Sequence, residues 1–179
     1  MAMTIVLVIV AVIAAVLVFA STRPDTFRVE RSITIKAPPQ KVFDAISDFH
    51  RWTEWSPWEN IDPGLKRAYG GAQSGVGAVY DWTGNSKVGT GRMEITGATA
   101  PSKIVIKLDF LKPMEAHNTA EFTIEPQGGG KEEGVRVTWA MFGPALFMGK
   151  LMTLVVSMDR MVGGSFEQGL ANLKRISEA

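Results

Sequence analysis

Pro144 to Ala179 reads as one long amphipathic helix, and it constrains what everything before it can be. At 100° per residue, Leu151, Val155, Met158, Val162, Phe166, Gly169, Leu173 and Ile176 share one narrow stripe, while Arg160, Glu167, Lys174 and Glu178 point away. A helix patterned this way lies lengthwise on an apolar surface, so the rest of the chain must supply that surface. Gly163 and Gly164 interrupt it, each weaker than alanine by about 1 kcal/mol in a helix interior. The pair marks a kink or a close approach by sheet or ligand, and close packing alone also accounts for it.

The surface comes from strands. In Phe27 to Ile35, the residues Phe27, Val29, Ile33 and Ile35 share one alternating phase, which describes a half-buried strand. Arg31 falls in the same phase, so it either meets an acid or a ligand head group inside or snorkels at the sheet's end. Pro38 and Pro39 stop the strand, and Val42, Phe43, Ile46 and Phe49 then recur at helical spacing, predicting one or two short helices. Trp52, Trp55 and Trp58, beside Pro57, are expected to cap one edge of the core.

From Leu65 to Phe142 the chain alternates in period two between turn signals, the pattern of an antiparallel meander of five or six strands. Tyr80 and Trp82 share the phase of Ala78, and Met93 that of Ile95. Ile104, Ile106, Leu108 and Phe110 share a face opposed by Lys107 and Asp109. Asn118, Ala120, Phe122 and Ile124 do likewise, as do Val135, Val137, Trp139 and Met141. Gly128 to Gly130 reads as a hairpin tip.

Ahead of this domain, Met1 to Ala20 carries no charged side chain. Twenty helical residues at about 1.5 Å each span roughly 30 Å, one hydrocarbon core, so residues 1–20 read as an uncleaved transmembrane anchor. A secretory signal peptide is the rival, with Ala20 before Ser21 as the cleavage point, but no Lys or Arg precedes the apolar run. Arg23, Arg28, Arg31, Lys36 and Lys41 behind the run favour a cytoplasmic domain; a cleaved signal makes the domain periplasmic or secreted instead. Residues 21–26 form a linker and 27–179 the domain.

Composition narrows the function classes. A net charge of +1 over 179 residues gives no pull toward nucleic acid, and the absence of cysteine excludes thiolate chemistry. The only two histidines, His50 and His117, are far apart in sequence, which argues against a zinc site, and no cofactor is expected.

The order strand, short helices, meander, long helix comes with particular words: ITIKAPPQKVFDAISDFHRWTEWSPW, VGAVYDWTGN, and GVRVTWAMFGP before a helix ending FEQGLANLK. Together they resemble the START-type, Bet v 1-like superfamily, specifically its polyketide cyclase/dehydrase and lipid-transport (SRPBCC) group, over about residues 27–178. The resemblance implies an α+β helix-grip fold, an antiparallel sheet wrapped around the long C-terminal helix, with a cavity for an apolar small molecule between them. The N-terminal anchor departs from that pattern.

Strand phase assigns Tyr80, Trp82, Ile104, Ile106, Leu108, Phe110, Asn118, Phe122, Val137, Trp139 and Met141 to the inner face, with Met148, Met152 and Phe166 from the helix. Twelve of these form the candidate ligand wall: Tyr80, Trp82, Ile106, Leu108, Phe110, Asn118, Phe122, Val137, Trp139, Met141, Met152 and Phe166. The wall is apolar, suited to a lipid-like or polycyclic guest, and equally suited to ordinary core packing. Arg31, Tyr80 and Asn118 are the polar groups inside, while His117, Asp81 and Glu94 fall on the outward phase. No Gly-x-Ser-x-Gly nucleophile motif and no dinucleotide glycine loop occurs. The expected function is therefore a membrane-anchored domain that binds a hydrophobic small molecule. The alternatives are a cyclase- or dehydrase-type enzyme acting on an apolar substrate in the same cavity, and a structural domain with a filled core.

Overall fold

The computed structural model describes residues 2–128, 134–145, 150 and 157–179. Helix α1 (Ala2–Ser21) leads into strand β1 (Thr26–Ile35), helix α2 (Pro39–Ser47) and two 3-10 helices, Phe49–Glu54 and Pro57–Asn60. Six further strands follow: β2 (Lys66–Gly71), β3 (Ala78–Thr83), β4 (Thr90–Thr99), β5 (Lys103–Lys112), β6 (Ala116–Pro126) and β7 (Val135–Pro144). Helix α3 (Met158–Glu178) closes the chain. The strands form one antiparallel sheet in the order β1-β7-β6-β5-β4-β3-β2, so the meander runs outward from β7 and β1 returns to pair with it.

One face of the sheet is covered and carries the core. The expected inward residues Val29, Ile35, Met93, Ile95, Ile104, Ile106, Phe122, Ile124, Val137 and Trp139 are all buried. Helix α3 lies along β1 and also meets β7, α2 and both 3-10 helices. Its stripe is turned inward as the periodicity requires, with Phe166, Gly169, Leu170 and Leu173 buried. Irregular register between Thr90 and Gly91, and between Ile95 and Gly97, bends β4 where it pairs with β5.

Two expectations need correction. The C-terminal segment is not one helix from Pro144, because β7 stays extended through Pro144 and α3 begins only at Met158. Ser157 is its N-cap, with extended backbone (φ −71°, ψ 148°), and its hydroxyl accepts from the Arg160 amide while Asp159 sits in the first turn. Leu151 and Val155 of the predicted stripe, Met148, and most of the Gly128 to Gly130 tip lie outside the described residues. Of the three tryptophans, only Trp58 is half-buried against the core as a cap would be. Trp52 and Trp55 are buried inside the core, their indole N–H groups donating to the Ile46 and Ala45 carbonyls at 2.9 and 3.2 Å.

Close approach explains two of the three helix glycines, Gly163 and Gly169, while nothing lies within 4 Å of a Cβ placed on Gly164. A Cβ on Gly163 would collide with the Arg31 guanidinium, and one on Gly169 would lie 2.8 Å from the Trp139 ring and 3.1 Å from Pro57. Helix propensity alone favours Gly169→Ala by about 1 kcal/mol. Overpacking against a rigid ring costs about 1–3 kcal/mol and should win, lowering the urea-unfolding midpoint. A raised midpoint would mean that α3 stands further from the sheet.

Candidate functional site

The centre of the sheet–helix interface is a cluster of aromatic rings built on Trp139 of β7. Phe122 of β6 stacks on one side (centroids 4.8 Å apart, 28° between planes) and Phe166 of α3 on the other (4.4 Å, 2°). Trp52, Trp55 and Trp58 approach Trp139 edge-on at 6.3, 5.5 and 5.4 Å. These geometries are the favoured ones for rings with a negative face and a positive edge. Cross-strand pairing sets the register, since Phe122 lies directly opposite Trp139.

Trp139 differs from its neighbours in one respect. It is only 3% exposed, and its indole N–H has no acceptor among the described residues. A buried donor left unpaired costs about 1–3 kcal/mol. The pair Trp52 and Trp55 escapes this cost through the C-terminal carbonyls of α2.

Of the residues predicted to line the wall, Tyr80, Trp82, Ile106, Leu108, Asn118, Phe122, Val137, Trp139, Met141 and Phe166 are buried, and Phe110 is half-buried. Met152 lies outside the described residues. Phe122, Trp139 and Phe166 come together in the stack, while Tyr80, Trp82 and Phe110 form a second row across β3 and β5. Because these rings touch one another, no gap separates Phe122, Trp139 and Phe166. Two surface hollows lie elsewhere, about 210 Å³ beside Glu115, His117 and Pro144 and about 440 Å³ beside Asn85, Lys112 and Pro113.

The polar groups show what chemistry is within reach. Tyr80 donates its hydroxyl to Glu59 Oε1 at 2.7 Å, and Arg67 Nε donates to Glu59 Oε2 at 2.5 Å. Burial, then the neighbouring carboxylate, pushes the Tyr80 phenol far above its ordinary value, so it remains a neutral donor. Glu59 escaped the sequence reading. It sits in a 3-10 turn with no periodicity, and only its tertiary partners Arg67 and Tyr80 make a buried carboxylate tolerable there.

Arg31 turns out to be a clamp. Its guanidinium holds Asp159 through two hydrogen bonds of 2.7 and 3.0 Å and Glu167 at 2.7 Å, tying β1 to α3. Those carboxylates raise the Arg31 pKa further and leave it committed to the helix. His117 faces outward, its side chain 61% exposed, with Nδ1 2.7 Å from Asp109 and Nε2 3.3 Å from Glu115. The Asp109 hydrogen bond raises the His117 pKa. Asp109 itself is depressed because hydrogen bonds from Lys107 and His117 outweigh the burial that opposes them.

Comparison with known proteins places this geometry. A family model described as "Polyketide cyclase / dehydrase and lipid transport" matches residues 26–178. No curated protein matches the sequence. Among solved structures, the chain is similar to protein CV1439 from Chromobacterium violaceum, at 15% identity and a TM-score of 0.57, covering 88% of this chain and 99% of that one. It is also similar to the di-domain ARO/CYC BexL from the BE-7585A biosynthetic pathway, at 17% identity and a TM-score of 0.62. That match covers 90% of this chain but 53% of BexL, so the chain spans about half of the di-domain protein. The major latex-like protein 151 of Panax ginseng matches at 11% identity with a TM-score of 0.60, covering 87% and 100%. At these identities the likeness is one of fold, an α+β Bet v 1-like sheet with its C-terminal helix.

Proposed function

The chain belongs to the polyketide cyclase/dehydrase and lipid transport family, and on that premise we propose that it is a membrane-anchored domain binding a hydrophobic small molecule between its sheet and α3. The observation that carries this reading is the Trp139 N–H, set among stacked rings and without an acceptor among the described residues. A flat or lipid-like guest bearing one oxygen acceptor recovers the lost hydrogen bond and keeps the apolar contacts. Since Phe166 stacks on Trp139 in the described state, the guest enters as α3 or its rings yield. Gly163 and Gly164 lower the cost of such a movement.

Helix α1 supports the anchor. Its Met3–Ser21 span has a mean hydropathy of 3.2 and is almost entirely uncovered by the rest of the chain. The basic residues behind it favour a cytoplasmic domain. Intact-mass measurement of the mature protein should find residues 1–20 retained, with the protein still in the membrane fraction after a carbonate wash. Loss of those residues would make α1 a signal sequence and the domain an exported one.

One observation favours a second reading, an enzyme of cyclase or dehydrase type. Glu59 and Tyr80 form a buried carboxylate–phenol pair, the kind of arrangement that can relay a proton. Under that reading Glu59→Gln abolishes a turnover while leaving guest binding in place; under the binding reading there is no turnover to lose.

A further inference from the structure

The register of the sheet determines which of its ends faces the bilayer. Helix α1 ends at Ser21 and β1 begins at Thr26, so Thr22–Asp25 span at most about 14 Å even when fully extended. The link is also pinned, because the Asp25 carbonyl accepts from the Ala145 amide at 2.7 Å and its carboxylate accepts from Lys150 at 2.5 Å. Thr26 pairs with Pro144 at the end of β7. Following the ladders across, Ala116 opens β6 at this end, pairing with Phe110 near the end of β5, and Lys112 pairs with Thr90 at the start of β4. The β5–β6 hairpin therefore projects from the anchor end. The β4–β5 turn at Ala100–Ser102 lies a strand length away, roughly 30 Å for ten residues.

The tip of that hairpin is apolar where solvent would favour polar residues. Leu111 and Met114 are 50% and 54% exposed, on either side of Lys112 and Pro113. Ile61, another exposed large apolar residue, precedes β2 at the same end, and Lys87 in the β3–β4 loop adds a cation to Lys112. Glu115, the acid of the hairpin, is engaged with His117. Apolar side chains flanked by lysines match a membrane interface, where the side chains enter the acyl boundary and the lysines meet anionic head groups.

We propose that Leu111 and Met114 form a second membrane contact, inserting the β5–β6 tip into the leaflet that α1 enters and fixing the domain with this end toward the lipid. The contact rests on the reading of α1 as an anchor. Its consequence is functional: a guest leaving the bilayer meets the anchor end of the sheet first.

The absence of cysteine makes the test direct. Single variants Leu111→Cys, Met114→Cys, Ser102→Cys and Val10→Cys of the full chain are labelled with NBD and reconstituted into vesicles of phosphatidylcholine and phosphatidylserine containing doxyl-labelled lipid. Leu111 and Met114 are exposed, so near-UV circular dichroism should show their variants folded as wild type. Blue-shifted emission and several-fold stronger quenching at positions 111 and 114 than at 102 are expected, with position 10 quenched by lipid labelled near the bilayer centre. Equal quenching at 111, 114 and 102, with position 10 still quenched, overturns the hairpin contact and leaves the anchor standing. An unquenched position 10 overturns the anchor and the hairpin contact with it.

Discussion

Phe166→Ala is expected to destabilise the domain by about 3–5 kcal/mol, the usual cost of deleting a buried phenylalanine. The ring is fully buried, lies parallel to Trp139 at 4.4 Å and meets the edge of Trp58 at 5.9 Å, so neighbouring rings are too rigid to fill the space it leaves. Phe166 is also the side chain by which the middle of α3 grips the sheet. The loss is therefore cooperative, read as a fall in the urea midpoint with near-UV and far-UV signals moving together. Separate transitions for the two signals would mean that α3 detaches while the sheet persists.

Trp139→Leu should weaken binding of an apolar, oxygen-bearing probe by about tenfold to a hundredfold, through loss of both ring contact and N–H. It also lowers stability, because Trp139 is held between Phe122 and Phe166. Trp139→Phe separates the two effects. It keeps a ring in the stack and removes an unsatisfied donor, so stability should stay within about 1 kcal/mol while affinity for the oxygen-bearing probe falls roughly five- to tenfold. His117→Ala, on the outward face, should change neither stacking nor affinity. Fluorescence titration of wild type and the three variants, with melts alongside, reads all of these. Full affinity in Trp139→Phe would remove the indole N–H from recognition.

Much of this arrangement was legible before any coordinates, for a physical reason. Strands β4 to β7 each have one face in the core and one toward water, so Ile104, Ile106 and Leu108, or Phe122 and Ile124, announce their side by alternation alone, whereas β2 is exposed throughout. The inward turn of Phe166 and Leu173 followed from the helical period in the same way. The break at Ser157 was hidden because the apolar residues of the sequence keep one helical stripe across it, and only a capping hydroxyl with Asp159 behind it marks the start. Tertiary pairing was illegible for a different reason. Neither the Arg31 clamp on Asp159 and Glu167 nor the Glu59–Arg67–Tyr80 network leaves a local pattern, since their partners lie at least eight residues apart and mostly on different elements.

The close ring stack around Trp139 makes the location of a guest the decisive question. Photolabelling of the full chain in lipid nanodiscs with a diazirine-bearing long-chain fatty acid, followed by peptide mass mapping, answers it. A guest held between sheet and helix places adducts on the β6, β7 and α3 peptides that carry Phe122, Trp139 and Phe166, and excess unlabelled fatty acid suppresses them. Adducts confined to residues 1–20, with those three peptides unlabelled at saturating probe, would contradict binding between sheet and helix.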